Sequence, residues 1–393
     1  MQRPAHELTY EFFCQPKIVS GSCALENTPA ELASNDAYKP LVITSRTVTG
    51  GRLHKHLIKA FYDSGCPIGG IFDEVRNYAG VGLARQAALL AEERGCDAFI
   101  ALGCGPVADV ARAANILAAR QTENLFACFE GNCLEKRLLP LILIPAGCLT
   151  GMESGRTLTI DNRELSSDFL YPDVVILDKR MTKPASRREF AEAAAMTADN
   201  AAGAFMDPEY SPMKEAFAHA GLQLLADSFP KADRRTGGKK RHLAAANAAV
   251  LAGIAAANAR PGLVRLLSQE LEKTTHVGRG VFTALLAPAA LEWFGEQKQG
   301  PREELLLAAA GMDVYAATAP EERAAKGIER LNALFTEIQK GIPENLAGLK
   351  IPAYKLEQAC QNAASNKAAW FSAQDAGAVL ERAQKGNAKK GDR

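Results

Sequence analysis

The feature that most constrains the fold of this chain is an alternation that stops halfway along it. Short apolar runs at Pro40–Thr44, Ile68–Phe72, Ala98–Leu102, Pro140–Ile144 and Val174–Leu177 are separated by stretches with apolar residues at helical spacing, Gly51–Ser64, Gly80–Arg94 and Val107–Arg120. Runs this short and this apolar suit strands buried on both faces. Strand and helix in alternation predict a doubly wound parallel sheet, with any ligand in the crevice beyond the carboxyl ends of the strands. After Leu177 alanine-rich helical patterns take over: Arg188–Met206, Pro212–Asp227, Arg241–Ala259, Arg279–Phe294, Arg302–Ala317, Pro320–Gln339 and Tyr354–Ala364. A length of 393 residues exceeds what one core usually supports. The expected division is an α/β domain over 1–182 and an all-helical domain over 183–393, parted near Pro184, which opposes a continuous helix. Residues 384–393 are polar, lysine-rich and aperiodic, which predicts a frayed tail.

Chemistry first shows at the end of the third apolar run, where Gly103-Cys104-Gly105-Pro106 leads into a helical pattern. Glycines at a strand-to-helix turn let a ligand approach the backbone, and the N–H groups and dipole of the new helix attract phosphate. This turn makes the α/β domain a candidate nucleotide-binding domain, although such turns also arise for steric reasons alone. With 46 basic against 45 acidic side chains, nothing steers the chain toward nucleic acid or an anionic membrane surface. Neither the start of the chain nor any later run is apolar for long enough to suggest a signal peptide or a membrane span, and a cytoplasmic location is expected. Nine cysteines without a CxxC pair suit reduced, mostly buried thiols, and Cys128 and Cys133 have no histidine beside them to complete a zinc site.

In ordered blocks the chain resembles the iron-containing (group III) alcohol dehydrogenases, cousins of glycerol dehydrogenase and dehydroquinate synthase. The stretch Leu102–Asp109 is similar to the family's GGGSxxD loop, Ile144–Glu153 to its IPTTAGTGSE stretch, and Tyr171–Asp178 to the segment that closes its nucleotide domain. Ala248–Leu263 and Gly280–Phe294 resemble the helices that frame the family's metal site. The resemblance implies a nicotinamide-dependent oxidoreductase acting on a small molecule, a homodimer, and a divalent metal that polarises the alcohol oxygen while hydride leaves for the cofactor. It assigns cofactor binding to Gly103, Gly105, Pro106, Asp109 and Thr150, with Glu153 also fitting the pattern. Ser45 and Arg46 stand where an aspartate commonly binds the adenine ribose, so NADP is expected at least as readily as NAD. A solvated loop arginine is the plain alternative for Arg46.

The metal ligands are where the chain departs from the family. Asp199 matches the first ligand, but Gly203, Arg265 and Arg279 stand where three histidines are expected, and Gln269 replaces a histidine suspected of relaying protons. Arginine stays protonated and has no lone pair to donate, so a tightly bound metal is not expected. His276 would rescue one ligand only if its loop shifted, while His219 and His242 are expected to face solvent. Arg265 and Arg279 are candidate contacts for an anion or substrate; the alternative is a salt bridge from Arg265 to Asp199 in the volume of the metal. Two functions stay open: an oxidoreductase acting on a small alcohol, aldehyde or anionic carbonyl compound without the usual iron site, and a catalytically silent relative that binds a nucleotide or a protein partner.

Overall fold

Strand β4 (Ala98–Leu102) is buried along its whole length, and the sheet of this computed structural model is assembled around it. The structure describes residues 9–388 except 63, 77, 131–133, 135, 184–185, 233–237, 276, 298–299 and 343–345. β1 (Lys17–Gly21), β2 (Pro40–Ser45), β3 (Gly70–Val75), β5 (Leu141–Ile144) and β8 (Val174–Asp178) join β4 in a six-stranded sheet of order β1-β8-β5-β4-β2-β3. Every ladder in it is parallel. The central strands are apolar at nearly every position because both faces are covered, and one face is filled by Val42, Ile100, Ile142 and Ile176 with Leu25 and Leu32.

The two edge strands are the ones the apolar runs define poorly. β1 has only Ile18 and Val19 as large apolar residues, and β3 begins two residues later than the run Ile68–Phe72 and continues through Asp73 and Glu74. An edge strand packs on fewer neighbours and tolerates such polar positions. A separate antiparallel hairpin, β6 (Thr157–Ile160) and β7 (Arg163–Ser166), turns through Asp161 and Asn162, both with positive φ as a tight hairpin turn requires.

The helices of this part are α1 (Thr28–Ala33), α2 (Arg46–Gly50), α3 (His54–Phe61), α4 (Val81–Glu93), α5 (Pro106–Arg120) and α6 (Ala127–Glu130). Since β3 lies outside β2 while β4 lies on the other side of β2, the winding reverses between β2 and β4. Their carboxyl ends, Ser45 and Leu102, therefore flank the switch point where ligands of such sheets bind.

The rest is helical: α7 (Arg187–Met206), α8 (Pro212–Ala232), α9 (Gly238–Ala257), α10 (Leu263–Thr274), α11 (Arg279–Gly295), α12 (Glu304–Ala310), α13 (Met312–Ala316), α14 (Pro320–Gln339), α15 (Ala353–Ala364) and α16 (Ala373–Ala388). Ser186 starts α7 with a capping-box pattern, its hydroxyl accepting the Glu189 N–H at 3.0 Å. The single helix expected over Arg302–Ala317 is two, broken at Gly311 with φ +84°. The tail expected to fray from residue 384 is helical to Ala388, because Ala376, Val379, Leu380 and Ala383 anchor α16 by burial.

By backbone packing the chain divides into two compact units, one of residues 15–185 with 231–250, the other of 186–230 and 251–393 with residues up to Cys14. Pro184 lies outside the described residues. Among the described residues no helix is long and apolar enough to cross a membrane.

Candidate functional site

In the α/β unit the Gly103 turn is held by backbone geometry that side chains oppose. A Cβ on Gly103 would lie 2.9 Å from Val107 Cγ2, and Gly105 has φ +53°. Both positions thus need glycine, one for close packing and one for its conformation. Gly103 N–H donates to Ile144 O at 3.0 Å, which fixes the turn to the end of β5. Pro106 opens α5 at its first position, where no N–H is required, and Asp109 lies in the first turn. Gly105 caps the helix without a side chain, so the dipole end of α5 is not covered by a capping group.

The Thr150 loop is ordered by its own glutamate. Glu153 is buried, and its carboxyl accepts the Thr150 N–H at 3.1 Å, the Thr150 hydroxyl at 3.2 Å and the Gly151 N–H at 2.8 Å. Burial raises its pKa above the ordinary value in spite of these bonds. Behind the loop lies a residue that sequence reasoning missed. Arg112 of α5, 2% exposed, donates to Leu170 O at 3.1 Å, Glu153 O at 2.9 Å and Gly155 O at 3.0 Å. It stitches the Thr150 loop to the helix that follows the Gly103 turn. Its one signal in the sequence is an arginine amid the apolar face of α5.

At the end of β2, Ser45 precedes α2 and Arg46 forms an ion pair with Glu74 of β3. Both Glu74 and Asp73 act electrostatically on Arg46. Arg46 is therefore exposed but engaged, rather than a lone cation beside the switch point.

In the helical unit Asp199 and Gly203 lie one turn apart on α7, and Arg265 lies in the first turn of α10; all three line one cavity. Burial pushes the Asp199 carboxyl up to about 7, against the pull of the Arg265 guanidinium. The Arg265 guanidinium thus acts on Asp199 electrostatically across this cavity lining. Gln269, one turn beyond Arg265, is buried, and its Oε1 has no hydrogen-bond partner among the described residues. Arg279 is not brought into the cavity. At the start of α11 its N–H donates to Glu272 Oε1 at 2.8 Å and its Nε lies 3.4 Å from Glu272 Oε2.

Four positions matched to metal ligands thus supply one carboxylate, two guanidinium groups and no side chain at Gly203, and this set does not fit a divalent metal. Among the described residues no group of three or more His, Cys, Asp or Glu side chains is placed to hold a metal ion. His276 and Cys133 lie outside the described residues. His219 and His242 are half-buried instead of solvent-facing, and burial lowers the pKa of each. The eight described cysteines are free thiols, but Cys14 and Cys23 are exposed.

Most of the remaining walls of the cavity fall in Ala248–Leu263 and Gly280–Phe294, the blocks likened to the helices that frame the family's metal site, whereas Ala202 and Trp370 lie outside them. These walls include Arg260, Leu291, Trp293, Phe294 and Trp370, with the small residues Ala202, Ala256 and Ala287 leaving the room between them.

Residues 15–179 match the family model described as iron-containing alcohol dehydrogenase, and residues 199–377 match that of the C-terminal part of the same family. The chain is 27% identical over 288 residues, 72% of each chain, to long-chain-alcohol dehydrogenase 1 of Geobacillus thermodenitrificans (strain NG80-2). The fold matches a crystal structure of 1,3-propanediol oxidoreductase with TM-score 0.85 at 19% identity, covering 95% of this chain and 100% of that one. It also matches sulfoacetaldehyde reductase from Bifidobacterium kashiwanohense in complex with NAD+, with TM-score 0.80 at 16% identity, over 96% and 99% of the two chains.

Proposed function

Since this chain belongs to the iron-containing alcohol dehydrogenase family, we propose that it is a NAD(P)-dependent oxidoreductase that interconverts a small alcohol and its carbonyl compound, anionic substrates included, without the family's metal. The Gly103 turn, Pro106 and Asp109 at the start of α5, the Thr150 loop and Ser45 would hold the cofactor. The nicotinamide, when bound, supplies or accepts the hydride.

The single observation that carries the metal-free reading is Arg265 facing the same cavity as Asp199 and Gly203. There the guanidinium offers a fixed positive charge to a substrate oxygen or carboxylate. It polarises a carbonyl more weakly than a dication, so slow turnover is expected. The fold likeness to a reductase named for the anionic sulfoacetaldehyde supports an anionic substrate class.

Titration of the purified protein with NADH and NADPH, together with metal analysis, tests this reading. Binding of at least one cofactor by a protein holding far less than one iron or zinc per chain is expected. Stoichiometric metal would overturn the metal-free assignment, and failure of both cofactors to bind would overturn the oxidoreductase assignment. A second reading, a silent family member that binds nucleotide or a partner protein, is favoured by the loss of three ligand positions at once. Cofactor binding with no hydride transfer to any of a broad panel of aldehydes and oxo acids would select it.

A further inference from the structure

The helical unit's cavity is lined by both aromatic and cationic side chains, and its walls hold both tryptophans of the chain. Its empty space is about 660 Å³ with the open mouth included. Phe294 and Trp370 meet edge to face with ring centroids 5.5 Å apart, and Trp293 tilts against Phe294 at 6.1 Å. Edge-to-face frames of this kind leave ring faces and edges for a further aromatic ring. Trp370 Nε1 is buried and has no hydrogen-bond partner among the described residues. A buried indole N–H costs free energy until an acceptor meets it.

The lining also holds the guanidinium groups of Arg260 and Arg265 and the carboxylate of Asp199. Arg260 is held in place by its surroundings: its N–H donates to Asp207 Oδ2 at 3.0 Å, and its guanidinium reaches Ala368 O and Ala369 O only at 3.4 Å. Gly203 opens the cavity wall, for a Cβ there would meet nothing within 4 Å.

We propose that this cavity binds a compound with a single aromatic ring, a carboxylate that faces Arg260 and Arg265, and a carbonyl oxygen that accepts the Trp370 Nε1–H. The assignment is one of ligand binding and goes beyond the oxidoreductase reading without resting on it. Binding itself is independent of the cofactor. Three features select the class: the ring frame rejects short aliphatic acids, the arginines reject neutral aromatics, and the indole donor favours an added carbonyl over a bare ring.

Because Trp293 and Trp370 are the only tryptophans, intrinsic fluorescence of the intact protein reads the cavity directly. Titration with 4-formylbenzoate should give a saturable change, benzoate a weaker one, and acetate and benzyl alcohol at least tenfold weaker ones. Gly203→Leu should weaken 4-formylbenzoate binding at least tenfold while the thermal midpoint stays equal or rises, since leucine favours the helix and meets no neighbour at Cβ. Trp370→Phe, with Trp293 as the remaining reporter, should erase the advantage of 4-formylbenzoate over benzoate. Equal responses to acetate and 4-formylbenzoate, or undiminished binding in Gly203→Leu, overturn the proposal. Cofactor titration of the same sample separates the two claims: NADH or NADPH binding without 4-formylbenzoate binding sinks the cavity assignment alone, and the converse sinks the oxidoreductase reading alone.

Discussion

Lys214 Nζ lies 2.5 Å from Asp207 Oδ2 in a pair whose side chains are each 1% exposed. Asp207 follows α7, and its carboxylate also accepts the N–H groups of Arg260 at 3.0 Å and Glu209 at 3.1 Å. One buried anion therefore fixes both the end of α7 and the segment that carries Arg260 to the cavity. Removing its cation leaves that charge uncompensated. Lys214→Met should lower stability by about 3–5 kcal/mol, read as a fall in the urea midpoint at unchanged slope. A loss below about 1 kcal/mol would mean that water or another group takes over the role of the ammonium.

Arg112 makes a different prediction, because its partners are backbone carbonyls. Arg112→Leu leaves the carbonyls of Glu153, Gly155 and Leu170 buried without their donor. A stability loss of about 3 kcal/mol or more is expected. Hydrogen exchange should quicken in residues 150–155 ahead of β4, and cofactor affinity should fall with it. Uniform exchange across the α/β unit would assign Arg112 to general stability and not to this loop.

If the cofactor binds as proposed, the choice between NAD and NADP should respond to the pair of Arg46 and Glu74. In the wild type the pair and the nearby Asp73 leave little net positive charge at the end of β2. Glu74→Gln frees the guanidinium for a ribose 2′-phosphate. The ratio of NADPH to NADH affinity should rise several-fold, and Arg46→Ala should abolish the rise in the double variant.

The dependence of stability on acid follows from Asp178, Arg180 and Glu26. Burial works to raise the Asp178 carboxyl, but bonds from the Arg180 side chain and backbone and from the Leu25 N–H outweigh it and hold the pKa below the ordinary value. The Arg180 side chain also lowers Glu26. Both carboxyls are thus more acidic folded than unfolded. Their stabilisation is present above the unfolded values, roughly pH 4, and is lost as the pH falls through the folded values. Arg180→Met should flatten the acid limb of a plot of urea midpoint against pH. Parallel limbs in the two proteins would show that the trio does not govern acid sensitivity.

How much of this was legible in the sequence depends on the range of the contacts involved. Ala98–Leu102 and Val174–Leu177 announce buried strands because their burial is written into consecutive residues. β1, with two large apolar residues at a sheet edge, carries no such pattern, and the hairpin at Asp161-Asn162 is polar throughout its turn. In the helical unit the family pattern located Asp199, Gly203 and Arg265, which do meet at one cavity. It also grouped Arg279 with them, but Arg279 does not line that cavity, and its Nε lies 3.4 Å from Oε2 of Glu272, seven residues away on the preceding helix. Trp370 was invisible as a site residue because it lies between α15 and α16 and meets Phe294 of α11 only in the fold.

The open space beside Gly203 bears on what it would take to place a metal at this cavity. A histidine placed there would meet no steric obstacle at its Cβ, yet it would face the guanidinium of Arg265 instead of a second donor. Arg265 changed alone would remove the cation that acts on the Asp199 carboxyl. Each change by itself supplies too few donors: histidine at position 203 alone faces a guanidinium, and loss of Arg265 alone adds no lone pair. A metal-binding set at this cavity therefore needs both changes made together.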